Sequence, residues 1–539
     1  MLAPQPSISP QERERAARNL LIDAAAATAI GALNSGVVLL ALAIHIGATN
    51  SEIGLLAAIP LLTQILQAPT VKLVERLRRR RLISVTCVFF ARLALPTYAA
   101  VPFIPDRDVA AGVLLTAALL HYGLNAVGAC SWNSWMRDLL PPERLGQFFA
   151  RRGVYGTLVS TFATVAAAVA LEWTSGSHAL GDRIYSSLYL VGFVFGLIST
   201  AFLAMVPEPQ MPQGGPTASL YKLLLQPLKD RNFRNMLRYL ASWQFAVNLA
   251  TPFFTVYFVR ELGFSMSFVL ILTVVSQLAS VSVVRGWGQL SDRFANKSVL
   301  SVATPLFILC IAGMAFTSNI DGMAGRAAYL ILLHIVMGAA SAGVGLASGN
   351  IVMKLSPEGI ATSYMAANAL ISAVAAGSAP IIGGWAADFF AKRQLRLNLE
   401  WVSPSGTNAL FGLVFTHWEF FFLLSALLGL YTLHRLTIVQ EPGAVEGREV
   451  VGHVWTSARR TLRNASSVAG LRIGVAFPGG DLIRARQGKR VSIFALLEST
   501  KRRLGFGATA MATALDASFR EPEPDASFDD LLKQLDKIN

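Results

Sequence analysis

About twelve apolar runs, each roughly 20 to 30 residues long, fill the first 437 residues of this chain. An α-helix needs about 20 apolar residues to cross a hydrocarbon core of about 30 Å. With 53% hydrophobic and 14% charged residues, the chain holds more apolar surface than a water-soluble core can take in. The runs are continuous and rich in Leu, Ala, Val and Gly. Barrel strands would instead alternate over about ten residues, so helices are the remaining solution for a backbone in lipid. The sequence predicts an all-α integral membrane protein with spans at 19–47, 51–72, 82–104, 108–137, 147–172, 185–206, 236–261, 264–290, 297–318, 326–353, 360–391 and 408–436.

Orientation follows from Lys and Arg, which concentrate in loops on the inner side. With the N-terminus inside, the short inner segments carry 22 basic residues and the outer ones 7. Both termini are therefore expected in the cytoplasm, and the protein in the inner, or plasma, membrane. The net charge of +14 follows from basic loops facing anionic lipid. Because these residues are spread over many loops, no nucleic-acid partner is expected. Cys87, Cys130 and Cys310 fall inside predicted spans and read as small packing residues. The charged stretch before a long first run suits a retained first helix rather than a cleaved signal.

The spacing divides the membrane region six and six. Residues 1–18 form a cytoplasmic N-terminus, 19–206 one six-helix bundle, 207–235 a cytoplasmic linker and 236–437 a second bundle. Leu220 to Leu228 of the linker are expected to lie along the membrane surface. Residues 438–539 read as a cytoplasmic tail, partly disordered. The pattern from Ser527 through Leu535 is that of a capped amphipathic helix. Asn133, Met136 and Arg137 at the end of the fourth span match Asn350, Met353 and Lys354 at the end of the tenth. Parallel repeats of six spans are one architecture of secondary transporters, with substrate held between the repeats.

The segment from Gly288 through Leu290, Asp292 and Arg293 to Lys297 joins spans eight and nine. It resembles the G-x-L-x-D-R-x-G-[RK]-[RK] loop signature of the major facilitator superfamily, with Ala295 at the second glycine. The corresponding loop of the first half keeps Leu73, Glu75, Arg76 and a basic run through Arg80, with Val71 at the first glycine. Trp132 to Arg152 and Pro227 to Tyr257 are similar to stretches of bacterial permeases of that superfamily. The resemblance spans roughly residues 15–437. It implies two bundles rocking about a central cavity, with the two loops as cytoplasmic gates.

In such a fold spans one, four, seven and ten line the cavity, and polar residues within a span face protein or water. The expected substrate-cavity residues are Asn34, His121, Asn125, Trp132, Trp243, Gln244, Asn248, Thr251, His334 and Ser341. Gln244, Asn248 and Thr251 share one helical face, as do His121 and Asn125. Coupling to a proton needs a titratable group whose exposure changes. Asp23 is one candidate, and His121 and His334 are others, because imidazole titrates near neutrality. Arg92, within span three, is set to pair with a carboxylate, meet an anionic substrate or snorkel. Asp388 and Glu419 sit near outer span ends.

Nothing in the chain resembles a nucleotide-binding loop, a hydrolase elbow or a His/Cys metal cluster, so neither cofactor, metal nor enzymatic chemistry is expected. The reading is a proton-coupled secondary transporter, leaning to efflux of a sugar-like or drug-like solute. The rival readings are a non-transporting scaffold or sensor acting through the tail, and a lipid transporter.

Overall fold

The computed structural model describes residues 4–452, apart from 141, 174–176, 212–219, 358–360, 394, 404–405, 416, 446 and 451. Most of the tail, including the stretch at Ser527, lies outside these residues.

The first span begins earlier than its apolar run. Helix α1 (Pro10–Asn34) starts at Ser9, whose hydroxyl accepts the Glu12 N–H while the Glu12 carboxylate accepts the Ser9 N–H, with Pro10 at the first helical position. The span breaks at Gly36, whose φ of +55° an L side chain rarely adopts, and resumes as α2 (Val37–His45). A second capping box, Thr49 with Glu52, opens α3 (Asn50–Leu62). Then come α4 (Gln67–Leu77), α5 (Arg80–Arg92), α6 (Ala94–Ala100), α7 (Arg107–Leu139), α8 (Pro142–Glu172) and α9 (His178–Ala204). The second half holds α10 (Leu220–Lys229), α11 (Arg231–Val256), α12 (Met266–Phe294), α13 (Asn296–Met314), α14 (Met323–Lys354) and α15 (Ala361–Phe390). It ends with α16 (His417–Ile438).

Eleven helical stretches among the described residues are long and apolar enough to cross a membrane. The seventh expected span is the exception. Helix α11 is 26 residues long, continues as a π turn over Tyr257–Glu261, and carries Arg231, Arg234 and Arg238 besides its amides. The last span also differs from expectation. Residues 408–415 belong to an antiparallel hairpin, β1 (Leu395–Ser403) paired with β2 (Gly406–Phe415), and the helix begins only at His417. Leu395, Leu397 and Leu399 alternate with Arg396, Asn398 and Glu400, a period of two that suits a strand. The apolar end of β2 runs straight into the following helix, which hid the boundary.

Packing repeats between the halves. Helix α1 packs on α8 and α9 as α11 packs on α15 and α16, and α5 packs on α7 as α13 packs on α14. The bundles meet where α3 packs on α15 and α8 on α12. The first contact is close because it is built of glycine. A Cβ on Gly54 would overlap the Pro380 carbonyl, and one on Gly384 would sit 2.5 Å from the Asn50 carbonyl.

We refer to the face holding the start of α1 as the terminal face and the opposite one as the distal face. Hydrogen bonds between described residues of the two bundles gather at the distal rim. Asp388 accepts bonds from Asn50 Nδ2 (2.9 Å), Ser51 N (3.0 Å) and Ser51 Oγ. Arg260 Nη2 donates to the Ala48 carbonyl at 2.7 Å, and Ser267 bonds Glu172.

Ala295, where the loop signature has glycine, takes φ +67° and ψ 163°. That region is nearly reserved for glycine and costs other residues about 1–3 kcal/mol. Part of this is offset by the greater unfolded-state freedom of glycine, about 0.5–1 kcal/mol. Ala295→Gly is therefore expected to stabilise the protein by about 1 kcal/mol, read as a rise in its thermal unfolding midpoint.

Candidate functional site

A cavity of about 550 Å³ lies between the bundles, walled by α1, α8, α12 and α14. Its size falls within the roughly 300–1,000 Å³ of small-molecule sites. Ala24 and Thr28 come from α1, and Phe149, Arg152, Gly156 and Ser160 from α8. Thr273, Ser276, Gln277 and Ser280 come from α12, with Gly338 and Ser341 from α14. The wall is a mixture of hydroxyls, one amide and one guanidinium on an apolar frame. Gln277 Oε1 and Arg152 Nε are buried and have no hydrogen-bonding partner among the described residues. Buried polar atoms are ordinarily satisfied, so these two leave one acceptor and one donor open in the cavity lining.

Of the residues expected here, Ser341 lines this cavity. Trp132 stands behind its wall: the Arg152 guanidinium lies 4.7 Å from the Trp132 ring, which meets Phe149 edge-on. Gln244, Asn248 and Thr251 are half-buried along α11, with Asn248 Nδ2 donating to the Gln244 carbonyl. Trp243 points elsewhere, packing edge-on against Phe307 within the second bundle. His334 is buried, bonding its own helix at the Leu330 carbonyl and leaning on Phe258.

The remainder gather inside the first bundle. Asp23 is 5% exposed and accepts a 2.6 Å bond from Ser199 Oγ on α9. It lies one residue from the cavity-lining Ala24 and feels the charges of Arg152 and Arg92. Arg92 is buried with its stem against Gly196, and Nη1 reaches Asn125 Oδ1 at 3.4 Å. Neither snorkelling nor a carboxylate within 4.0 Å is seen for it among the described residues. Asn125 Nδ2 donates to the His121 carbonyl, and His121 Nδ1 to that of Ala91. Asn34 is buried beside the break at Gly36, against Gly192, with neither side-chain polar atom bonded.

The ends of the two loops expected to act as gates meet buried carboxylates, Glu208 in the first half and Glu441 in the second. Arg80 and Glu208 are both wholly buried on the terminal face. Glu208 accepts the backbone N–H of Arg80 (2.6 Å) and of Arg81 (3.1 Å), capping α5, and Arg80 Nε at 3.4 Å. The Arg80 guanidinium also bonds Asp138 and the carbonyls of Ser134 and Pro209. In the second half Glu441 accepts the Lys297 N–H (2.7 Å), capping α13, and bonds from Asn296 and Lys354. Glu208-Pro209 and Glu441-Pro442 each follow the last span of a half, a repeat legible in the sequence. Glu75 is half-buried, whereas Arg76, Asp292 and Arg293 are exposed, and Gly288 lies near Leu346.

Burial opposes ionisation of Glu441, but its bonds from Lys297, Lys354 and Asn296 outweigh that and hold it below the usual carboxylate range. Its stabilising contribution is thus full above the unfolded value of about 4.3 and is lost as pH falls through the lower folded value. Glu441→Gln should flatten the stability profile over that acidic window.

A family model described as the Major Facilitator Superfamily matches residues 21–380. No curated protein sequence matches the chain at a significant level. Among solved structures, a mutant of the nucleoside transporter NupG is similar with a TM-score of 0.58 at 14% identity, covering 79% of this chain and 100% of its own. A D-xylose-proton symporter follows at 0.54 and 18%, covering 80% and 98%. A bacterial homologue of the iron transporter ferroportin, in an inward-facing state, gives 0.55 and 12%, covering 81% and 100%. At such identities the likeness is one of fold. Taken with the doubled packing and the cavity between its halves, the family match is decisive: this multi-pass chain belongs to the Major Facilitator Superfamily, whose members are transporters rather than enzymes.

Proposed function

We propose that the chain is a proton-coupled secondary transporter of the inner membrane, with both termini cytoplasmic, that exports a small polar organic solute. The pairing of Gln277 and Arg152 in one cavity wall carries this reading. An orphan acceptor and an orphan donor call for a solute bearing both hydrogen-bond types, as sugars and nucleosides do. The fold neighbours that carry nucleosides and D-xylose lend this class some support. Phe149, Val281 and the alanine and glycine positions of the wall suit an amphiphilic cargo equally well.

Asp23 is the proton-coupling group in this reading. It sits between Ser199 and the charges of Arg152 and Arg92, next to the cavity, so solute and proton act on one electrostatic cluster. With the terminal face inward, the bonded distal rim makes this the inward-facing state. The two bundles then alternate by exchanging the distal contacts for terminal ones.

Purified protein in proteoliposomes tests the proposal. Solutes that raise its thermal midpoint are assayed for flux driven by a pH gradient. Flux that is strongest out of the compartment facing the termini supports export. Arg152→Gln and Gln277→Ala should each weaken solute binding about tenfold, the worth of one or two well-placed hydrogen bonds. Asp23→Asn should abolish pH-driven flux while leaving solute exchange. Binding unaffected by either wall substitution sinks the site assignment, and pH-driven flux that survives Asp23→Asn sinks the coupling role.

A further inference from the structure

We propose that His45, His178 and Asp182 form a binding site for a divalent transition cation of the zinc class at the distal rim of the first bundle. The site is separate from the cavity and independent of the transport reading. His45 ends α2, while His178 and Asp182 stand one helical turn apart at the start of α9. Their ligand-capable atoms all lie within 4.8 Å of one another. His45 Nε2 is 2.7 Å from Asp182 Oδ1, and His178 Nδ1 is 3.5 Å from the same oxygen. Tetrahedral zinc with bonds of about 2.0–2.1 Å spaces its ligand atoms roughly 3.3 Å apart, so small side-chain shifts seat the ion.

The arrangement is built rather than incidental. His45 and Asp182 are mostly buried, at 14% and 19% side-chain exposure, and thus preset, whereas His178, 73% exposed, stacks on the His45 ring and needs only a small rotation to meet a metal. The His45 ring lies directly on α9 over Gly181. A Cβ there would meet His45 Cε1 at 2.7 Å, so any larger residue would displace the imidazole from Asp182. Tyr185 packs on the same ring from the next turn. Two imidazoles and one carboxylate suit zinc, nickel or copper over the oxygen-seeking magnesium and calcium. Three protein ligands leave a fourth position to water.

The location gives the metal something to act on. Three residues beyond His45, the Ala48 carbonyl accepts the Arg260 bond that crosses between the bundles. Arg107, which bonds the Gly47 carbonyl, also holds Glu52 of α3. An ion joining α2 to α9 therefore fixes the short segment on which part of the distal closure rests.

The test uses the full-length, untagged protein, with zinc chloride titrated calorimetrically and by thermal shift, and magnesium chloride as control. One zinc per chain, a raised midpoint and no response to magnesium are expected. His178→Ala removes a mostly exposed side chain, so the metal-free midpoint should fall only by the small worth of its stacking on His45, while zinc affinity falls about tenfold or more. Asp182→Asn should weaken binding similarly. The proposal is overturned if zinc does not bind saturably, if magnesium binds as well, or if His178→Ala binds zinc like the parent.

Discussion

Replacing Arg80 with alanine is expected to destabilise the protein by about 3–5 kcal/mol, the cost of leaving one partner of a buried ion pair alone. Arg80 and Glu208 are both sealed from solvent, so the carboxylate cannot turn to water when the guanidinium is lost. One side chain also ties three elements together, joining α5 to Ser134 and Asp138 on α7 and to Pro209 beyond α9. Arg80→Lys should recover little, since an ammonium cannot reproduce the planar fork. The double variant Arg80→Ala with Glu208→Gln should regain part of the loss by removing the stranded charge. Because membrane proteins often unfold irreversibly, the half-life at a fixed temperature in detergent is the quantity to compare. A half-life unchanged in Arg80→Ala would show that the network is dispensable.

The second large effect is conformational. Asp388→Asn removes the charge from an acceptor that holds Asn50 and Ser51 across the bundle interface. Hydrogen bonds to a charged group are worth about 1.5–3 kcal/mol, so the balance between distally closed and distally open states should move by roughly 10- to 150-fold. Spin labels on the distal ends of α3 and α15 would report a new, longer distance. The Gly54 and Gly384 contacts remain in the variant, so closure stays sterically available and the protein should remain folded. A distance distribution identical to that of the parent would mean that glycine packing alone keeps the rim shut.

The two sites differ in how readable they were. Thr273, Ser276, Gln277 and Ser280 fall at helical spacing on α12, a polar stripe visible in the sequence but lying outside spans one, four, seven and ten, which the fold resemblance implies as cavity-lining. The repeated Glu-Pro after each half was equally open to view. The His45, His178 and Asp182 cluster was not, because His45 lies far in the chain from the His178 and Asp182 pair and only the fold sets its ring over the start of α9.

What the sequence determined by itself was the solvent and the scaffold. Hydrophobic length demands membrane helices, basic loops suggest an orientation, and the Gly288 to Lys297 loop with its first-half counterpart marks the superfamily. Only the tertiary structure decided which polar groups meet. Helical periodicity tells which residues share a face, but the direction each face looks is set by contacts with helices distant in the chain. Thus Ser341 reaches the cavity while Trp243 turns into the core, and Asp23 finds Ser199. The distal hairpin and the late start of α16 were settled the same way, by strand pairing against a neighbouring segment, which no run of hydropathy records.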